Sequence, residues 1–108
     1  MIPMTPLHEL ADVFRSKNAG PFLVTIDLMF FDEVRYARVA GSDRLTAQAV
    51  AARYGVEPGA VRVVPFPAAK AIKITLPRLW GACGAGSAGD RDVYGAQQHG
   101  PLLDLMIP

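Results

Sequence analysis

A chain of 108 residues with a net charge of +1, 51% hydrophobic and 19% charged, has the size of one domain, residues 1–108. So small a charge gives no field able to hold nucleic acid or an anionic membrane, and no apolar run approaches the roughly 18 residues of a membrane span. The single cysteine, Cys83, leaves no internal disulfide framework, and the start MIPMTPLHEL lacks a basic then apolar leader, so the cytoplasm is the expected compartment.

Charged residues also fall below the roughly 25% that is usual. Some apolar surface is therefore expected to meet another chain, whether a second copy or a different protein.

Thr5-Pro6 fits an N-cap followed by a first-turn proline, with Leu7, Leu10, Ala11 and Phe14 at helical spacing. The segment Leu10 to Phe14 also alternates as a strand does, and for residues 6–14 both readings stay open. Arg15-Ser16-Lys17-Asn18 is a polar run, read as a loop, and Ala19-Gly20-Pro21 leads out of it. The strongest strand signal follows. Phe22, Val24, Ile26, Leu28 and Phe30 fall on one face and Leu23, Thr25, Asp27 and Met29 on the other, as in the middle strand of a sheet packed on helices. An ionised Asp27 in such a strand needs a partner, for which Lys70 and Lys73 are the candidates unless it faces solvent.

Asp32 is placed to cap a helix from Glu33 to Ala40, with Phe31 and Tyr36 spaced as a hydrophobic staple. Gly41-Ser42-Asp43 breaks it. Thr46 caps a second helix from Ala47 to Tyr54, whose buried stripe is Val50, Ala51 and Tyr54; Leu45 and Val50 repeat the staple spacing, and Gly55 is a left-handed stop. Glu57-Pro58-Gly59 is a turn, and Val61 to Phe66 is a strand that Pro65 assigns to an edge or a bulge. After a bend at Pro67-Ala68-Ala69, Ala71 to Leu76 returns with Ile72, Ile74 and Leu76 inward and Lys73 and Thr75 outward, completing a hairpin. Gly81 to Gly89 is a glycine-rich loop, Asp90 to His99 is polar, and Leu102 to Ile107 reads as a final strand.

Chemistry concentrates on a polar rim. Arg15, Ser16, Lys17 and Asn18 form one half; Ser87, Asp90, Arg91, Asp92, Tyr94, Gln97, Gln98 and His99 form the other. Arginine and lysine hold carboxylates or phosphates, and paired amides orient carbonyl or hydroxyl groups. Two solvated surface loops would carry the same residues. His99 has the titration range of a general acid or base, although a histidine before Gly100-Pro101 equally suits a hydrogen-bonded loop. Gly84-Ala85-Gly86-Ser87-Ala88-Gly89 spells a GxGxxG but follows no strand–helix switch and lacks a P-loop ending, so nucleotide binding is not expected from it. A metal site would require His8, His99 and nearby aspartates to converge, and the spacing does not ask for one. Cys83 has no cation or histidine beside it in sequence to lower its pKa. The residues name no cofactor.

The blocks RSKNAGPFLVTIDLMF, AIKITLPR and DVYGAQQHGPLLDLMIP carry a resemblance to a family. The chain resembles the small proteins of domain of unknown function 4387, which accompany acyclic terpene utilisation (AtuA-like) proteins in bacteria. Arg15, Ser16, Lys17, Asn18, Gly20, Lys73, Asp90, Asp92, Tyr94, Gln97 and Gln98 match the family blocks, while the loop between Trp80 and Ser87 departs from them. The family is similar to the C-terminal ferredoxin-like domain of fused AtuA-like proteins, and it is linked to catabolism of carboxylic acids or their CoA thioesters. The resemblance also favours a strand, rather than a helix, before Arg15.

The expected fold is thus α+β, a ferredoxin-like sandwich with a mostly antiparallel sheet and short helices on one face. The expected function is that of a small subunit completing the site of an AtuA-like large subunit. Arg15 and Lys17 would hold an anionic small-molecule substrate; Ser16, Asp90 and Asp92 belong to the same binding set; Asn18, Gln97 and Gln98 would orient the substrate; and Tyr94 or His99 would line the pocket or transfer a proton. The alternatives are a self-sufficient homo-oligomeric enzyme with its site between protomers, and a non-catalytic structural or regulatory module.

Overall fold

The computed structural model describes residues 3–20, 22–77 and 100–108. Period-two alternation builds its main layer. The strands β2 (Val13–Asn18), β3 (Leu23–Met29), β4 (Arg62–Phe66) and β5 (Ala71–Pro77) form one sheet in the order β2-β3-β5-β4, with every neighbouring pair antiparallel. Two helices, α2 (Glu33–Ala40) and α3 (Ala47–Tyr54), lie in sequence between the two hairpins. A short second sheet pairs β1 (Thr5–Pro6) with β6 (Met106–Ile107), and the one-turn helix α1 (Leu7–Leu10) follows β1 directly. The architecture is α+β.

The core lies on one side of the main sheet. Val24, Ile26 and Leu28 stand in register with Leu76, Ile74 and Ile72, and all six are buried. Tyr36 and Val39 from α2, and Val50, Ala51 and Tyr54 from α3, join them in a single apolar cluster with Leu7, Leu102 and Ile107. Both helices are capped as their sequences require: Asp32 accepts from the Val34 N–H at 2.8 Å and Thr46 from the Ala49 N–H at 3.1 Å. Gly55 ends α3 with φ +67°, a conformation that costs an L side chain roughly 1–2 kcal/mol. Pro65 does lie on an edge strand, the place in a sheet where a residue without an N–H is tolerated.

Several expectations change. Residues 6–14 are neither one helix nor one strand, because α1 is a single turn and β2 begins at Val13. Arg15–Asn18 is not a loop; it pairs with Asp27, Ile26, Thr25 and Val24 of β3, since backbone pairing is indifferent to how polar the side chains are. Phe22 lies outside the core at 60% exposure, before β3 begins. The staple does not close either. Phe31 is 72% exposed, and Tyr36 instead meets Phe30 edge-on, with ring centroids 5.9 Å apart. The final strand shrinks to Met106–Ile107, and Gly100–Leu102 is a 3-10 turn. The glycine-rich segment 81–89, with Cys83, and the polar segment 90–99 lie outside the described residues.

Candidate functional site

The side of the main sheet away from the helices carries most of the sheet's charged side chains. Side chains of a strand alternate between faces, and cross-strand partners share one. The register therefore lays this face out in rows running across the four strands. One row is Arg15, Asp27, Lys73 and Val64; the next is Lys17, Thr25, Thr75 and Arg62. On one side of these lies an apolar row of Val13, Met29, Ala71 and Phe66, and on the other lies the pair Leu23 and Pro77. The result is a polar band between apolar margins.

Four cations and one carboxylate occupy that band. Arg15 Nε stands 3.8 Å from Asp27 Oδ2, so the partner of Asp27 is Arg15 rather than Lys70. Lys73 is the neighbour of Asp27 on the other side in register. With the Arg15 side chain 64% exposed, the pair adds less than about 1 kcal/mol to stability; its effect is local neutralisation. No other ion pair of the described residues involves Lys17, Arg62 or Lys73. The band keeps an excess of positive charge. At its centre Thr25 is only 5% exposed, and its hydroxyl has no hydrogen-bond partner among the described residues.

Strand alternation divides the expected binding residues of β2. Arg15 and Lys17 project onto this face, whereas Ser16 and Asn18, partnered with Ile26 and Val24, project toward the helix-packed side. The other expected residues, Ser87, Asp90, Arg91, Asp92, Tyr94, Gln97, Gln98 and His99, lie outside the described residues. Thr25, Thr75 and Arg62 were not singled out by the sequence. The outward positions of Thr25 and Thr75 were legible from alternation, but their meeting in one row depends on the pairing of β3 with β5, which alternation does not specify.

Two other features are accounted for by the fold. Asp12 accepts from the Phe31 N–H at 2.7 Å and pairs with Arg35 at 3.4 Å, while Arg35 also reaches Asp32 at 3.7 Å; this charge cluster fixes the start of α2. A cleft of about 280 Å³ between α2, α3 and the β4–β5 hairpin is lined by Val39, Leu45, Ala47, Val63 and Ile72, among others, and holds no titratable group. Among the described residues no three histidine, cysteine or carboxylate side chains converge as a metal site, and no helix is long and apolar enough to cross a membrane.

The family model described as domain of unknown function (DUF4387) matches residues 7–106. Comparison with curated proteins and with solved structures gives no match.

Proposed function

This chain belongs to the domain of unknown function (DUF4387) family, and on that premise we propose that it is the small subunit of a bacterial cytoplasmic enzyme. It completes the active site of an AtuA-like large subunit in the catabolism of carboxylic acids or their CoA thioesters. One observation carries the reading: the sheet face away from the helices joins exposed apolar residues, Leu23, Val64 and Phe66, to a cationic band bearing Arg15, Lys17, Arg62 and Lys73. Apolar margins suit a protein partner, and the band suits an anionic substrate held between the two chains. In this proposal Arg15 and Lys17 bind the anion, and Tyr94 or His99 supplies the proton transfer. The ferredoxin-like likeness belongs to the same proposal. Helices backing one face of an antiparallel sheet support it, while the direct hairpins joining β2 to β3 and β4 to β5 set this chain apart.

A homo-oligomer pairing through the same face is the weaker reading. Two copies laid face to face would set the same four cations against each other, which opposes association. Co-expression with the neighbouring AtuA-like protein tests the proposal. A stable complex is expected, with turnover lost in Lys17→Ala while the complex still forms. A chain that stays monomeric beside that protein overturns it.

A further inference from the structure

We propose that the outer edge of β4 accepts an added strand from another protein, whose alternate apolar side chains fill the cleft beside it. The inference goes beyond the subunit reading, since it concerns the edge of the sheet and not the face away from the helices. Main-chain direction is its first support. The Phe30 N–H donates to the Lys70 carbonyl at 2.9 Å, one step beyond the Met29–Ala71 pair of the β3–β5 ladder. Bonded and non-bonded pairs alternate along an antiparallel ladder. Ile72 and Ile74 therefore turn their main-chain groups toward β3, while Ala71, Lys73 and Thr75 turn theirs toward β4. Their partners Phe66, Val64 and Arg62 point back at β5. Val63 and Pro65 are left pointing outward, where no strand of the described residues pairs with β4.

The groups on this edge select the occupant. Val63 offers an N–H and a carbonyl, and Pro65 a carbonyl alone, since proline has no N–H. A second copy brings the same short supply of donors, so two β4 edges would leave half of these carbonyls unpaired. A strand of different sequence brings a donor for each. The cleft of about 280 Å³ is the second support. Val39 and Ile72 are buried at its floor, while Ala40 and Pro65 are exposed, which sets its mouth beside the β4 edge on the helix side. Walls without a titratable group suit uncharged, apolar side chains. On its other side an added strand would lie against Val64, 38% exposed, and against Arg62, which has no carboxylate partner among the described residues. The fitting strand is apolar toward the cleft and acidic opposite Arg62.

The test uses the full chain alone and, as probe, a capped peptide about seven residues long that alternates valine with threonine and carries one glutamate in place of a threonine. NMR titration is expected to show saturable shifts in β4 and about tenfold slower exchange of the Val63 amide. Methylating the peptide nitrogens that would bond to Val63 and Pro65 should weaken binding about tenfold or more, although every side chain is kept. Exchanging the glutamate for lysine should weaken binding to the native chain and restore it to Arg62→Glu. Ala47→Leu, which fills the cleft from α3, should weaken the peptide about tenfold as well; Ala40→Leu at the exposed mouth serves if that variant does not fold. Shifts without saturation, native affinity for the methylated peptide, or equal affinity for the two charges in both chains would overturn the inference. Shifts in β4 that grow with the concentration of the chain alone would overturn the choice of a foreign strand over a second copy. The two proposals can fail separately: a chain that joins the large subunit but refuses the peptide overturns this one alone, and a chain that takes the peptide but ignores the large subunit overturns only the other.

Discussion

Arg38 and Pro108 are joined across seventy residues of sequence, the guanidinium Nε donating to the Pro108 carbonyl at 2.8 Å. The same side chain donates through Nη2 to the Pro3 carbonyl at 2.9 Å, to Thr5 Oγ1 at 2.8 Å and to the Ile107 carbonyl at 3.3 Å. A planar fork thereby ties α2 to both strands of the two-stranded sheet, which has only two residues per strand and little hydrogen bonding of its own. Arg38→Ala is expected to lower unfolding free energy by about 1–3 kcal/mol. Arg38→Lys should recover less than half, since one ammonium cannot span acceptors on two segments. Urea denaturation measures both, and an unchanged midpoint in Arg38→Ala would count against the clasp.

Tyr36 is buried at 8% exposure, packs edge-on against Phe30, and its hydroxyl has no partner among the described residues. Its ring stabilises the core and its hydroxyl opposes that stabilisation. Tyr36→Phe should therefore be neutral or more stable by up to about 1 kcal/mol, while Tyr36→Ala should lose about 3 kcal/mol through the cavity it opens. Calorimetry of the two variants separates the contributions. A clear loss of stability in Tyr36→Phe would mean that the hydroxyl is satisfied.

The helices were legible because each carries its own local signals: Asp32 and Thr46 at the caps, Gly55 at the stop, and the stripe Val50, Ala51 and Tyr54. The β4–β5 hairpin was legible for the same reason, with Pro65 marking the edge and Ile72, Ile74 and Leu76 the buried face. Polarity is a poor guide to backbone state. Arg15–Asn18 looks like a loop because four polar residues in a row hide an alternation whose partners are on another strand. The staple failed because chain direction after β3 turns Phe30, not Phe31, toward Tyr36. At the site, Arg15 and Lys17 were visible from their charge. Their separation from Ser16 and Asn18, and the meeting of Lys17 with Thr25, Thr75 and Arg62, follow from strand pairing, which is a non-local property.

Val64 and Phe66 lie on the edge strand β4 at 38% and 47% exposure, both on the face away from the helices. Residues so placed contribute little to the fold of the isolated chain and are free to contribute to an interface. The double substitution Val64→Thr with Phe66→Thr places β-branched threonine, a good strand former, at both positions, so stability should change by no more than about 0.5 kcal/mol per site. Association with the AtuA-like large subunit should weaken about tenfold or more, read by titration calorimetry. Undiminished association would place the contact on another surface.

Tyr54 sits at the end of α3 with 4% exposure, and burial pushes its hydroxyl well above the ordinary tyrosine range. The cause is desolvation: the phenolate would lose its hydration inside the core, so the folded chain keeps the proton. In the unfolded chain the same hydroxyl gives up its proton from about pH 10. Below that pH both states are protonated and the full stability is present; as the pH rises through it, proton release favours the unfolded state and stability is lost. The slope approaches about 1.4 kcal/mol per pH unit. Tyr54→Phe removes the titrating group, and each protein serves as its own reference, so any difference in neutral stability cancels. Between about pH 9 and about pH 11 the native chain should lose about 1.4 kcal/mol more than Tyr54→Phe. Parallel losses in the two proteins, measured by urea unfolding at each pH, would mean that the phenolate forms in the folded core as readily as in water.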